Sequence, residues 1–193
     1  MIAPTPDEAL DVGHQVVAEL AKVIAAQVDG LDWPAVAALV EALDHAGKVL
    51  VFGAGRSGAM ATAFGQRLTH VGLDVAAIGE AGNTRLGAQD VVLLISGSGA
   101  TVSTVSVAAQ SVTAGVGTIA LITTNPASEL AAVSQVVCPI AVRGKGSALS
   151  SIAPYTAQFD ACTLVLSEVV ARMIMVRRGI TDEEIERWRP NVE

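Results

Sequence analysis

Aromatic side chains are scarce in this sequence of 193 residues, where two Trp, one Tyr and three Phe amount to 3%. Their scarcity argues against proteins that stack nucleic-acid bases on aromatic rings. Positive charge is scarce as well, because 12 Lys and Arg stand against 19 Asp and Glu, which gives a formal net charge of −7. An acidic chain is not attracted to nucleic acid or to anionic lipid. We therefore expect neither nucleic acid nor a membrane as a partner.

Cysteine occurs only twice, as Cys138 and Cys162. Two cysteines make no disulfide framework, and their spacing is not that of a zinc site, so we expect two buried apolar side chains, no metal and no other cofactor. The sequence also lacks an uninterrupted apolar run of about 18 residues, the minimum for a spanning helix. An acidic pair, Asp7 and Glu8, lies where a signal peptide would be basic. We expect a cytoplasmic protein.

Small aliphatic residues dominate what is present. Hydrophobic residues make up 51% of the chain, which is enough to bury a core and excludes wholesale disorder. The length fits one domain. Within it we expect two N-terminal helices at 1–46, an α/β core at 47–142 and C-terminal helices at 157–193.

Short apolar runs alternate with amphipathic segments through the middle of the sequence. Five runs rich in Val, Ile, Leu and Ala begin at residues 48, 74, 90, 117 and 135 and predict strands. Strands and helices that alternate at this spacing predict a parallel sheet with helices on both faces. Pro139 has no N–H to donate, which places the fifth strand at an edge. The predicted fold class is α/β, a doubly wound five-stranded parallel sheet of the flavodoxin-like order 2-1-3-4-5.

The helix predicted from Gln158 to Arg178 is apolar nearly all round and ends at Gly179. Such a helix must be buried on several sides. One small domain can hardly cover it together with the two N-terminal helices, so we expect a homo-oligomer, either a dimer or a tetramer.

Two glycine-rich loops each follow a predicted strand and open a helix. They read Gly53-Ala-Gly-Arg-Ser-Gly58 and Ser96-Gly-Ser-Gly-Ala-Thr101. Nothing in the second loop is cationic, but its backbone N–H groups and hydroxyls at a helix N-terminus are typical of a phosphate site. Turns without a ligand use the same residue types, so that alternative stays open for both loops.

The predicted sheet order places the two loops beside one crevice, because strands one and three are neighbours where the winding reverses. A dinucleotide would need only the first loop and usually a further catalytic domain, for which 193 residues leave no room. We therefore favour a phosphorylated monosaccharide that uses both loops. The residues expected to bind it are Gly55, Arg56 and Ser57 at the sugar and Ser96, Gly97, Ser98 and Thr101 at the phosphate.

These two loops, together with Arg67-Leu-Thr-His-Val-Gly72 and Gly79-Glu80, resemble the sugar isomerase (SIS) domain family. Within that family the arrangement is most similar to the 6-phospho-3-hexuloisomerases, over most of the chain. The resemblance implies a homotetramer that interconverts 3-hexulose 6-phosphate and fructose 6-phosphate through an enediolate, without a metal.

The resemblance also implies the catalytic residues, and here the sequence departs from the family. The family's base is a Glu in a segment that reads roughly Pro-Met-Gly-x-x-Phe-Glu, where this chain has Pro154-Tyr-Thr-Ala-Gln-Phe-Asp160. Asp160 would then be the base, one methylene shorter, and Tyr155 would contact the substrate. Arg189 replaces a His thought to assist ring opening, and arginine cannot shuttle protons near neutrality although it can neutralise a phosphate or an enediolate.

These departures leave alternatives open. Asp160 could simply complement the dipole of its helix. The chain could be a phosphosugar-binding module without catalysis, or an isomerase of another sugar such as arabinose 5-phosphate. A nicotinamide-binding protein would rest on the first loop alone.

Overall fold

Five parallel strands form one sheet in the computed structural model, which describes residues 5–79, 85–143 and 151–188. The strand order is β2-β1-β3-β4-β5, with every neighbouring pair parallel, which confirms the predicted α/β fold class. The strands are β1 Val49–Gly53, β2 Val75–Ala77, β3 Val91–Ile95, β4 Thr118–Thr123 and β5 Val136–Pro139. β5 lies at an edge of the sheet, as Pro139 predicts.

Helices cover both faces of this sheet. They are α1 Pro6–Ala25, α2 Gln27–Gly30, α3 Trp33–Asp44, α4 Arg56–Thr69, α5 Val102–Ala114, α6 Glu129–Val133, α7 Ala157–Arg178 and α8 Asp182–Trp188. One face shares a hydrophobic core with α3, α4 and α7, where Leu39, Phe64 and Leu166 are buried. The other face packs against α5 and α6 through Ala108 and Leu130. Every residue of β3 is buried because both faces of this central strand are covered.

Helix ends follow the capping signals in the sequence. Asp32 caps α3 by accepting a hydrogen bond from the Ala35 N–H at 3.0 Å. Thr181 and Glu184 form a capping box ahead of α8, where Glu184 Oε2 accepts from the Thr181 N–H at 2.8 Å. The region 1–46, predicted to hold two helices, holds three in its described part, because the first helical segment divides at Ala26 into α1 and α2.

No individual helix in the described ranges is both long and apolar enough to cross a membrane. Among the described residues, one pair of helical segments, Pro6–Gly30 and Trp33–Asp44, is long and apolar enough for a membrane span when the two are taken together, but they are bent by 85° relative to each other.

The connection from β3 to α5 lies tightly against the start of α6. Gly99 has a φ of +64°, and its carbonyl accepts a hydrogen bond from the Leu130 N–H at 3.0 Å. A Cβ at this position would overlap the side chain of Ser128, the N-cap residue of α6. The second glycine loop is therefore fixed against its neighbours by a glycine that no larger residue can replace without displacement.

We predict that Gly99→Ala lowers the free energy of unfolding by at least about 2 kcal/mol, because it combines a left-handed backbone with an overlap. Urea unfolding followed by circular dichroism measures the change. Gly13→Ala is the matched control, since Gly13 lies in α1 with open space around it. The free energy of unfolding of this variant should rise by about 0.5–1 kcal/mol. Equal stability of the Gly99 variant and the natural protein would contradict the tight fit.

Candidate functional site

The two glycine loops leave the sheet at the same level. Gly53 and Ile95, the last residues of β1 and β3, are partners in the strand register. The loops therefore flank one pocket of about 300 Å³ at the carboxyl ends of the strands. The residues that line it are Ala54, Arg56, Ser57, Gly97, Ser98, Thr101, Thr124, Arg143, Tyr155, Thr156 and Phe159.

Six of the predicted site residues line this pocket: Arg56, Ser57, Gly97, Ser98, Thr101 and Tyr155. Gly55 shapes the first loop with a φ of 58° as the N-cap residue of α4, and Ser96 is buried beneath the second loop. Arg189 and Glu80 lie outside the described residues.

Three hydroxyl groups converge in the second loop. The Oγ1 atom of Thr101 lies 3.3 Å from Ser96 Oγ and 3.4 Å from Ser98 Oγ. Thr101 is the N-cap residue of the 13-residue helix α5, but no side chain accepts from the first N–H groups of that helix. Free N–H groups, a positive helix end and adjacent hydroxyls together make a site for an oxyanion such as phosphate.

The second loop is also anchored to the end of β4. The carbonyl of Gly97 accepts from the Thr124 hydroxyl at 2.7 Å and from the Thr124 N–H at 3.1 Å. On its other side, Gly97 faces the ring of Phe159 in α7, where an added Cβ would lie 3.4 Å from the nearest ring carbon. These contacts hold the donors of the loop in place without a ligand.

A buried carboxylate lies directly behind the first layer of the pocket. Asp160, in the first turn of α7, is 4% exposed. Its Oδ2 accepts from Arg56 Nε at 2.6 Å and from the Thr156 hydroxyl at 2.9 Å, whereas its Oδ1 has no hydrogen-bond partner. Both donors line the pocket. One carboxylate oxygen is thus anchored, and the other is left with its acceptor capacity unused.

The residue that opens α7 has an unusual backbone. Thr156 has a φ of +71°, the one positive φ of a residue other than glycine in the described part of the chain. This conformation is costly for a β-branched residue, by about 1–3 kcal/mol. Here it places the Thr156 hydroxyl within hydrogen-bond distance of Asp160.

Five pocket residues were not predicted as site residues: Ala54, Thr124, Arg143, Thr156 and Phe159. Thr124 and Arg143 follow β4 and β5, and the predicted sheet order indicates that these strand ends share an edge with the glycine loops. Arg143 adds a positive charge to the pocket from a residue that belongs to neither glycine loop. Within the described ranges, no group of three or more His, Cys, Asp or Glu side chains could hold a metal ion.

A larger concavity of about 610 Å³ lies between α3 and α7, away from the loops. Apolar side chains such as Trp33, Val40 and Met173 form most of its wall. Its two arginines are engaged with carboxylates, Arg172 with Asp182 and Arg177 with Glu41 and Asp44, so the smaller pocket is the candidate site for a polar ligand.

Comparisons with known proteins agree with this geometry. Residues 42–167 match the model of the SIS domain family. A 3-hexulose-6-phosphate isomerase of Mycobacterium gastri is 34% identical over 160 residues, which cover 82% of this chain and 80% of that protein. The enzyme of the same name from Bacillus subtilis is 30% identical over 149 residues, which cover 76% of this chain and 80% of that protein.

Solved structures share the fold over nearly the whole chain. One of them is a hypothetical protein of Methanococcus jannaschii for which a 3-hexulose-6-phosphate isomerase function was inferred. It aligns with a TM-score of 0.79 at 25% identity, and the alignment covers 96% of this chain and 99% of that chain. An Escherichia coli protein in complex with arabinose 5-phosphate has a TM-score of 0.82 at 20% identity, covering 97% of this chain and 100% of its own, a likeness of fold alone. With more than half of its length matched by the family model, the chain belongs to the SIS domain family.

Proposed function

We propose that this chain is a sugar-phosphate isomerase that interconverts 3-hexulose 6-phosphate and fructose 6-phosphate. The observation that carries the proposal is an oxyanion site in one pocket with a buried carboxylate directly behind it, held by Arg56 and Thr156 of the pocket wall and with one oxygen that has no hydrogen-bond partner. Relatives named 3-hexulose-6-phosphate isomerase at 30% and 34% identity support the same reaction. A volume of about 300 Å³ suits a ligand the size of a monosaccharide phosphate.

The phosphate would bind at the second loop. Ser98 and Thr101 supply hydroxyls, the N-terminus of α5 supplies backbone N–H groups, and Arg143 supplies charge from the opposite wall. Hydrogen bonds from charged donors to an ionised acceptor are the strongest of their kind. These local donors compensate for the acidic balance of the chain, which would otherwise oppose binding of an anion.

Asp160 would then act as the base. Its carboxylate takes the proton from the substrate carbon that carries the hydroxyl, which requires the covering Arg56 and Thr156 side chains to give access because the Oδ1 atom is buried. The electron pair of the C–H bond forms the double bond of an enediolate, the hydroxyl proton passes to the former carbonyl oxygen, and the carbon-bound proton returns to the neighbouring carbon. Arg56 and Ser57 line the pocket beside it and can donate to the enediolate oxygens. Tyr155, which lines the pocket and is 58% exposed, would contact sugar hydroxyls. The role of Arg189 stays a prediction.

A second candidate is a phosphosugar-binding module without catalysis. The 2.6 Å contact between Arg56 and Asp160 favours it, because an ion pair that tight can hold a carboxylate for structural reasons alone. In this alternative the oxyanion site is unchanged, and only proton transfer is missing.

We further propose that the chain works in the cytoplasm as a homo-oligomer. Cys138 and Cys162 are free, and burial raises the pKa of the two thiols to about 12 and about 11, respectively, as expected for inert cysteines in a reducing compartment. Apolar side chains are exposed on α1 and α7, among them Val17 and Val176 at 69% each, and the concavity between α3 and α7 is largely apolar. Exposed apolar surface of this kind is typical of an interface.

Light scattering tests the assembly. We expect a mass that is a multiple of the 19.6 kDa chain and that falls when Val176 is replaced by Asp, because a charge in an apolar contact is costly. A monomer at all concentrations would contradict the oligomer.

We predict that Asp160→Asn lowers the isomerisation rate by about 10²–10⁴-fold, because the amide cannot accept the substrate proton. Binding of fructose 6-phosphate, measured by calorimetry, should stay nearly unchanged because the variant keeps the shape of the side chain. Glu168→Gln is the matched control, since it removes one carboxylate from an exposed position on the same helix. Full activity of the Asp160 variant would remove this residue from the mechanism.

Isotope exchange separates the two candidate functions. The natural protein should take up deuterium from solvent into fructose 6-phosphate, because the proton on the base exchanges with water between the two transfers. Thermal stabilisation by a panel of pentose and hexose monophosphates identifies the sugar. A ligand at about 100 times its Kd adds about 2.7 kcal/mol to the free energy of unfolding. Stabilisation without deuterium uptake for any sugar would select the binding module.

A further inference from the structure

A carboxylate on the N-terminal helix is hydrogen-bonded to the segment that forms one wall of the pocket. Glu19 in α1 accepts from the Ile152 N–H at 2.9 Å through Oε2 and from Gln158 Nε2 at 2.7 Å through Oε1. The hydroxyl of Ser151 also donates to Oε1. These hydrogen bonds, with that from Ser151 the largest cause, lower the pKa of Glu19 to about 2, so the group is ionised at any working pH. Its donors all lie far away along the chain.

Gln158 links this carboxylate to the pocket. Its amide nitrogen donates to Glu19, and its amide oxygen accepts from the Arg143 N–H at 3.1 Å. Gln158 is 8% exposed and lies in the first turn of α7, two residues before Asp160. Because both ends of the amide are used, a shift of Glu19 would reach the backbone of Arg143.

We propose that Glu19 is a positioning residue for substrate binding. It holds Arg143 through Gln158. Through its hydrogen bonds to residues 151 and 152, it also holds the segment that continues to Tyr155 in the pocket wall. The proposal rests on the proposed function in taking the pocket as the sugar-phosphate site. α1 is thereby part of the binding machinery, although no residue of α1 lines the pocket.

Only an ionised carboxylate suits this position. Three donors converge on Glu19, and a carboxylate offers two oxygens that only accept. A glutamine would turn an NH₂ group towards at least one of these donors. The substitution Glu19→Gln therefore keeps the shape of the side chain and breaks at least one of these hydrogen bonds.

The test compares Glu19→Gln, Gln158→Met and the double variant, with Asp11→Asn as control. Asp11 is exposed on the same helix, so its replacement removes the same charge away from the wall. We expect KM to rise about 10-fold in Glu19→Gln. The turnover number should change much less, because Arg56 and Thr156, which anchor Asp160, are untouched.

Coupling and amide exchange give the decisive readouts. The double variant should lose no more affinity for fructose 6-phosphate than the weaker-binding single variant, since the two residues act in series. Hydrogen exchange of peptides that contain Arg143 and Ile152 should be faster in Glu19→Gln, without substrate present. Unchanged affinity in Glu19→Gln, additive losses or unchanged exchange would each overturn the proposal. If the natural protein binds no sugar phosphate at all, the proposed function fails instead, which separates the two failures.

Discussion

The pairing of β1 with β3 is the constraint on which the site depends. These strands are far apart in sequence, yet Gly53 and Ile95 end them side by side. The pairing requires a central strand that is buried on both faces, and β3 is made entirely of Val, Leu and Ile. Hydrophobic burial therefore keeps β3 in the middle of the sheet, backbone pairing with β1 sets the distance between the two loops, and the loops in turn define the pocket.

The pocket is suited to an anionic ligand although the protein as a whole is acidic. The charge of the whole chain is unfavourable to a phosphate, but the local arrangement places hydroxyls, helix N–H groups and two arginines around the pocket. One of these arginines, Arg56, is shared with Asp160. Arg56 therefore lies between the pocket and the carboxylate, within reach of both.

Much of the fold can be predicted from sequence because its signals are local. The strands, the N-cap at Asp32, the edge position of β5 and both glycine loops follow from residues close together in the chain. The break at Ala26 has no such signal. The sheet order indicates that Arg143 lies near the site, but its contact with Gln158 depends on the three-dimensional structure. Glu19 could not be identified in this way, because its role depends on contacts across long sequence separations. Asp160 was predicted through resemblance, whereas its anchoring by Thr156 required the backbone geometry.

At Thr156 the backbone conformation costs stability, while the side chain supports the proposed activity through its hydrogen bond to Asp160. Glycine adopts a φ near +71° without steric strain but loses more conformational entropy on folding, so the stability gained with glycine there would be smaller than the strain that threonine carries. The same change would delete the hydroxyl that orients the carboxylate of Asp160. Selection for heat resistance alone would therefore favour glycine at 156, the residue that the family segment has there, and would give up the hydrogen bond from the hydroxyl to Asp160.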